Sequence, residues 1–261
     1  MIYSILDKGD DVSRALAARF REQADRLGLK SDDETPELVV SIGGDGTMLQ
    51  AFHRFRDQLD TVSFVGVHTG HLGFYADWQK DELEELVRLI AEAKPRIVQY
   101  PLVQAEIEQP DGKTVHLALN EFTLKSVDGT LVAGVYINGE LFEMFRGDGV
   151  VISTPTGSTA YNKSVGGAIL HPSLEAMQIA EIASINNRVY RTLGSSIVLP
   201  KHHCCEIRTE ENEPLIFSID HLVMQVDHVR TIRFRVAEQK ISFARFRPFP
   251  FWNRVRESFI N

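Results

Sequence analysis

Residues 37–52 read ELVVSIGGDGTMLQAF and set one carboxylate, Asp45, among three glycines. Leu38, Val39, Val40 and Ile42 form a short apolar run of the kind that makes a buried strand, while Met48, Leu49 and Phe52 recur at helical spacing. The residues between them, Gly43-Gly44-Asp45-Gly46-Thr47, therefore form a tight strand-to-helix turn. Unpaired N–H groups and the helix dipole make such a turn a seat for phosphate oxygens. A carboxylate repels that ligand, so Asp45 serves either as a helix cap or in the chemistry itself. The turn has neither the Gly-Lys-Ser/Thr ending of a Walker loop nor the spacing of a G-x-G-x-x-G dinucleotide fingerprint.

Around this turn, residues 1 to 95 alternate strand and helix signals. Ile2–Leu6 reads as a strand, and Val12–Leu27 as a helix with Leu16, Phe20, Ala24 and Leu27 on one face and Gly28 as its stop. A strand over Val62–Val67 and a helix over Asp81–Ala93, stopped by Pro95, complete the pattern. That alternation is the signature of parallel βαβ units, which bind ligands at the carboxyl ends of their strands.

From Pro101 the chain changes to short alternating runs broken by hairpin turns at Asp111-Gly112, Asp128-Gly129 and Asn138-Gly139. This half reads as mostly β. One helix is expected over Pro172–Ile185, from Leu174, Met177, Ile179 and Ala180. The closing stretch FARFRPFPFWNRVRESF, rich in Phe, Pro and Arg, is expected to wrap over the body or enter a subunit contact.

The chain of 261 residues carries a net charge of −8, which argues against nucleic acid as a partner, since that needs a basic face. Its two cysteines, Cys204 and Cys205, are adjacent and form no disulfide framework, as suits a reducing cytoplasm. His202-His203-Cys204-Cys205 raises a zinc reading. It is rejected on geometry: SSIVLPKHHCCEIRT reads as a strand, where neighbours point to opposite faces and the four cannot converge on one ion. Asp7 and Lys8 interrupt any signal-peptide core, and no apolar run reaches the length of a membrane span. A cytoplasmic protein without membrane contact is expected.

Two further stretches carry chemistry. In HLALNEFTL, residues 116–124, strand alternation puts the adjacent Asn120 and Glu121 on opposite faces, so at least one needs a partner. Burial without one costs about 2–7 kcal/mol even for a neutral polar group. GDGVVISTPTGSTAYNKSVGGAILHP, residues 147–172, concentrates Ser153, Thr154, Thr156, Ser158, Thr159, Tyr161, Asn162 and Ser164 beside Gly157, Gly166 and Gly167. Hydroxyls and amides of this kind suit ribose, phosphate and amide edges, and Tyr161 offers a face for a base. Lesser candidates are His68-Thr69-Gly70-His71, which reads as a turn with polar tips before it reads as a metal site; Arg146 and Asp148 flanking Gly147, a ligand contact or an exposed hairpin end; and Asp220-His221, a polar strand end or a polar edge to a pocket.

Taken in order, Gly43-Gly44-Asp45-Gly46-Thr47, Asn120-Glu121 and Thr154-Pro155-Thr156-Gly157-Ser158-Thr159-Ala160-Tyr161, with Ser164, Gly166 and Gly167, resemble the NAD kinase family over nearly the entire chain. The last motif is highly specific, whereas the glycine turn is shared with lipid kinases and phosphofructokinases. The resemblance implies an α/β N-terminal domain with a parallel sheet over residues 1–98 and a mostly-β C-terminal sandwich domain over 99–240 that binds the dinucleotide. A tail over 241–261 is implied to pack back on the first domain.

The implied reaction moves the ATP γ-phosphoryl group to the 2′-hydroxyl of the adenosine ribose of NAD, giving NADP, with Mg²⁺ or another divalent metal. Asp45 would be the base, and Gly43, Gly44 and Gly46 would meet phosphates. Asn120 and Glu121 would hold the adenosine end; Ser158, Thr159, Ala160, Tyr161, Asn162, Lys163 and Ser164 would line the dinucleotide, with Tyr161 against adenine. Arg146, Asp148 and Ala183 would lie toward the nicotinamide half or a neighbouring subunit. No residue is assigned as a metal ligand. The family often has Gly after the late-strand Asp, and His221 stands there instead, so local dinucleotide contacts are expected to differ.

A homo-oligomer is expected from the helix region around Ala183 and the aromatic tail Phe246–Trp252, and a tetramer is what the resemblance implies. A lipid kinase sharing the glycine turn would want an apolar mouth or a basic membrane-facing patch, which this acidic chain lacks. A dinucleotide sensor without turnover is the other alternative, and an assay for NADP formation separates all three.

Overall fold

In a computed structural model, which describes residues 1–70, 73–188, 190–209 and 214–260, the chain divides into two units, Met1–Gln99 with Lys240–Asn261 and Tyr100–Gln239. The first unit contains β1 (Ile2–Asp7), α1 (Asp11–Arg26), β2 (Lys30–Ser31), β3 (Leu38–Gly43), α2 (Asp45–Arg54), β4 (Ser63–His68), β5 (Trp78–Gln79) and α3 (Leu83–Glu92). Strand β3 pairs in parallel with β1 and β4, β1 with β2, and β4 with β5. All six residues of β3 are buried, which explains why its sequence is a continuous apolar run and not an alternating one.

The helices follow their sequence signals except at Leu27, expected on the inner face of α1, which lies past its end and is exposed. Asp10 caps α1 by accepting the Ser13 N–H at 2.8 Å, and Gly28 ends it at φ +73°, a conformation that favours glycine. Leu16, Phe20 and Ala24 of α1 and Leu83, Leu86, Val87 and Ile90 of α3 pack into one core with the apolar side chains of β1, β3 and β4. Full burial of each large side chain contributes roughly 1.5–3 kcal/mol.

The second unit is a β-sandwich. Strand β6 (Arg96–Gln109) leads into it, followed by β7 (Gly112–Ala118), β8 (Glu121–Ser126), β9 (Leu131–Ile137), β10 (Glu140–Gly147) and β11 (Gly149–Ser153). A single helical turn, α4 (Tyr161–Ser164), precedes β12 (Ala176–Ile182), β13 (Ile197–Pro200), β14 (Cys205–Arg208), β15 (Leu215–Ile219), β16 (Leu222–Val226) and β17 (Thr231–Arg245). One sheet runs β13-β12-β11-β8-β15-β16, wholly antiparallel; the other brings β10, β9, β14 and β17 side by side. Their facing side chains form one core, in which Phe122 of β8 stacks on Phe217 of β15 at 5.3 Å.

Turns at Asp111-Gly112 and Asn138-Gly139 close hairpins as expected, the latter with φ +52° and +86°. Asp128-Gly129 does not. Strand β8 is already bonded on both edges, to β11 and β15, so β9 has no edge to join and the chain crosses to the other sheet.

Two other expectations are corrected. The helix expected over 172–185 is strand β12, paired on both sides. Met177 and Ile179 face the core while Gln178, equally buried, faces the loop before it, so burial on both faces erased the alternation that marks a strand. The stretch SSIVLPKHHCCEIRT is not one strand but two, β13 and β14, placed in opposite sheets by a turn at Lys201-His202.

Past Gln239 the chain continues into the first unit, where Phe243 of β17 pairs with Phe64 of β4, and ends in α5 (Phe251–Phe259). The α/β unit with a parallel sheet and the mostly-β sandwich match the fold class read from the sequence. Among the described residues no helix is long and apolar enough to cross a membrane.

Candidate functional site

The glycine turn stands at the carboxyl end of β3. Gly44, not Asp45, is the helix N-cap, and its N–H meets the Thr47 hydroxyl at 3.4 Å. Asp45, the first helical residue, turns away from the helix: its Oδ2 accepts the Phe74 N–H at 2.9 Å and its Oδ1 the Tyr75 N–H at 3.0 Å. The capping reading of Asp45 is thus overturned. The carboxylate is held by a separate loop in one orientation, half-buried.

The three glycines differ in what demands them. A Cβ on Gly43 would lie 2.1 Å from the Thr47 hydroxyl, so any side chain there would force Thr47 to shift. A Cβ on Gly44 or Gly46 would meet nothing within 4 Å, and neither has positive φ. Nothing inside the fold requires glycine at 44 or 46.

Next to this turn, Thr69 donates its N–H to the Gly43 carbonyl at 3.0 Å, and His68 Nδ1 lies 3.1 Å from the Gly70 carbonyl. His68, Thr69 and Gly70 line a cleft of about 320 Å³ with Gln79, Lys80 and Asp81. His71 lies outside the described residues, and among those described no group of three or more His, Cys, Asp or Glu is placed to hold a metal.

In the second unit, Asn120 and Glu121 form the corner between β7 and β8, and three elements clamp their backbone. Asp220, in the β15–β16 turn at φ +52°, accepts the N–H groups of Leu119, Asn120 and Glu121 at 3.1, 2.7 and 3.2 Å. Thr154 donates its hydroxyl to the Leu119 carbonyl at 2.6 Å and its N–H to the Asn120 carbonyl at 2.8 Å. Gly157 packs against Asn120 so closely that a Cβ would lie 2.1 Å from the Asn120 oxygen.

That clamp leaves Glu121 buried, with Oε2 lacking a hydrogen-bond partner among the described residues. Desolvation, then the nearby Asp220 carboxylate, push its pKa up from 4.5 to about 8, against a smaller pull from the Tyr161 N–H. At neutral pH this carboxyl is mostly protonated, and so can donate as well as accept a hydrogen bond.

The polar stretch that follows divides into two roles. Ser158 and Asn162 are fully buried and spend their side chains inside the fold: Ser158 Oγ donates to the Pro155 carbonyl at 2.6 Å and accepts the Leu170 N–H at 2.9 Å. The Asn162 amide donates to the Ser158 and Ala168 carbonyls, both at 3.4 Å. Both were expected to line a dinucleotide, yet these contacts make them braces of the loop.

Thr159, Ala160 and Tyr161 remain half-exposed, while Lys163 and Ser164 are exposed. The Lys125 ammonium lies 5.5 Å from the Tyr161 ring centre and 3.3 Å from its hydroxyl.

Ala183 adopts φ +47° and lines a cleft of about 520 Å³ with Gly166, Glu181 and Ser195. Arg146 and Asp148 do not line it. Arg146 is turned to the Thr130 hydroxyl at 3.3 Å and lies over the Tyr190 ring at 5.3 Å, and Asp148 is exposed at a bend. His221 is exposed beside Asp220 in the hairpin turn. Sequence reasoning missed Gly73 and Lys125 and left Asp220 as a strand end or a pocket edge; no local spacing rule singles them out, because each matters through a residue distant in the chain.

Comparison with known proteins bears on both units. The ATP-NAD kinase N-terminal domain model matches residues 9–94, and the ATP-NAD kinase C-terminal domain model matches residues 119–246. NAD kinase of Geobacillus stearothermophilus is 56% identical over 262 residues, covering 100% of this chain and 97% of that protein. NAD kinase 1 of Bacillus cereus is 55% identical, covering 100% and 99%. Among solved structures, yeast NADH kinase complexed with NADH matches with a TM-score of 0.85 at 19% identity over 100% of this chain and 87% of its own. An NAD kinase from Archaeoglobus fulgidus in complex with ATP matches at 0.77 and 24% identity over 99% and 97%. At those identities the two structures speak for the fold.

Proposed function

This chain belongs to the NAD kinase family, and from that premise we propose that it transfers the γ-phosphoryl group of ATP to the 2′-hydroxyl of the adenosine ribose of NAD, giving NADP and ADP. Asp45 is the base. The ribose oxygen attacks the γ-phosphorus, the bond to the β-phosphate oxygen breaks, and the hydroxyl proton passes to the Asp45 carboxylate and then to solvent. Holding the carboxylate in one rotamer prepares it for that proton, as the N–H groups of Phe74 and Tyr75 do.

Gly44 and Gly46 support phosphate approach, since side chains there would meet only open space and the fold has no use for their absence. Gly43 serves the turn through its packing on Thr47. Magnesium, or another divalent ion, enters on the phosphates of ATP as part of the substrate, the usual mode for an ion that keeps most of its water.

On the dinucleotide side, Glu121 offers a carboxyl that is uncharged at neutral pH and does not repel the diphosphate. Its unpartnered Oε2 suits a ribose hydroxyl. Asn120 takes the adenosine end, and the half-exposed Tyr161 ring stacks on adenine. Thr159, Ala160, Lys163 and Ser164 present the open side of the loop, while Ser158 and Asn162 act by shaping it. Ala183 and its cleft take the nicotinamide half, with His221, Arg146 and Asp148 as outer contacts. The enzyme acts in the cytoplasm as a homotetramer.

The observation that carries this reading is the held Asp45 carboxylate between two glycines that the fold does not require. A coupled assay for NADP from NAD, ATP and Mg²⁺ tests it. Turnover is expected; binding of NAD without turnover would make the chain a sensor.

A further inference from the structure

The loop that holds Asp45 is itself held by the end of the chain. Arg254, on α5, is only 8% exposed although it is a charged side chain. Its Nη1 donates to the Gly73 carbonyl at 2.6 Å and also to the Ala76 carbonyl, and its Nη2 lies 3.4 Å from Asp77 Oδ1. Arg245 pairs with the other oxygen of Asp77. From the same helix, Phe259 stacks on Phe74 at 5.7 Å with 25° between the rings.

The Gly73 carbonyl and the Phe74 N–H are two ends of one planar peptide group. Arg254 grips the oxygen end, and the N–H end points at Asp45 Oδ2. Fixing the oxygen fixes the direction of the N–H, and a cation on the carbonyl polarises the peptide and strengthens that donor. Arg254 thus stands one peptide away from the Asp45 carboxylate without touching it.

Resting on the assignment of Asp45 as base, we infer that Arg254 is a positioning residue for the phosphoryl transfer: from the C-terminal helix it sets the peptide that orients the Asp45 carboxylate. A guanidinium suits this task because its planar fork reaches two carbonyls and a carboxylate together, which an ammonium cannot match in one plane. A purely structural role, tying the tail to the unit, would use the same contacts but leave the chemistry of the folded enzyme unchanged.

The test is a double-mutant cycle on the full chain with Arg254→Lys and Asp45→Asn, reading kcat, KM for NAD and ATP, and Tm. For R254K we expect kcat lower by roughly 10- to 100-fold, the scale of a misplaced catalytic group, with both KM values nearly unchanged. In the D45N background R254K should lower kcat little further, because its effect passes through Asp45. Losses that multiply in the double variant would overturn the inference, as would a normal kcat for R254K.

The two failures separate. A normal kcat for R254K beside a slow D45N removes the role of Arg254 and leaves Asp45 as base, whereas a normal kcat for D45N removes the base and this inference with it. If R254K does not fold, Arg254→Gln takes its place in the cycle, since its neutral amide can still donate to the Gly73 carbonyl. Lower kcat at unchanged KM is again expected, and an unchanged kcat overturns the proposal.

Discussion

A Cβ on Gly73 would stand 2.2 Å from Oδ1 of Asp45, so at this point the loop after β4 has room for glycine alone. The close approach lets the next two N–H groups reach the carboxylate. Gly73→Ala must push Asp45 aside. It should lower kcat by roughly 10- to 100-fold and cost about 1–3 kcal/mol of stability, measured by steady-state kinetics and urea unfolding on one preparation. Full activity in a folded G73A would show that the position of the carboxylate does not matter.

Gly157 stands in a similar relation to Asn120, but there the neighbour is backbone on both sides. Gly157→Ala cannot be absorbed by a rotamer change, so the corner carrying Asn120 and Glu121 must shift. The expected result is a loss of at least about 1–3 kcal/mol and a raised KM for NAD. Unchanged denaturant midpoint and KM would contradict the packing described.

Glu121 makes stability depend on pH in a defined direction. Its carboxyl is held near 8 in the fold against an ordinary 4.5, so the folded state binds the proton more tightly. This contribution is complete below pH 4.5 and is lost as pH rises through 8. At about 1.4 kcal/mol per pKa unit it amounts to a few kcal/mol. Tm of the wild type should therefore fall between about pH 5 and 9 more steeply than that of Glu121→Gln, which has no proton to lose. Parallel curves would show that Glu121 ionises normally.

Leu141, Phe142 and Met144 of β10 are 53%, 45% and 41% exposed, and Trp252 of α5 is 58% exposed. An oligomer would cover such surface. Light scattering at assay concentration should give a multiple of the 29.4 kDa chain mass, and a monomeric mass would end the proposal of a tetramer.

Much of the first unit was legible because β3 and α2 announce themselves locally, through an apolar run, helical spacing and the glycines between them. The role of Asp45 in the turn was only half legible: its carboxylate is held by a loop 29 residues away, and the turn by itself left capping and chemistry both open. Strand β12 was misread because Gln178, buried on the outer face and bonded to Ala168 at 2.8 and 3.0 Å, looks in sequence like any polar interruption. Ser158 and Asn162 show the same limit from the other side. A hydroxyl or amide written in sequence does not say whether its hydrogen bonds go to a ligand or to its own loop.

The central claim is that Asp45 is the base, and Asp45→Asn tests it most directly. Asn can accept one backbone N–H through its carbonyl oxygen but presents its amide to the other, so a cost of about 1–3 kcal/mol in stability is expected. NAD affinity should stay within a few-fold of wild type, because the dinucleotide contacts proposed for Asn120, Glu121 and Tyr161 are untouched. The variant cannot take the ribose proton, and kcat should fall by roughly 10²–10⁴. Measured on folded protein at saturating NAD and ATP, a loss of that size supports the account, and turnover near wild type contradicts it.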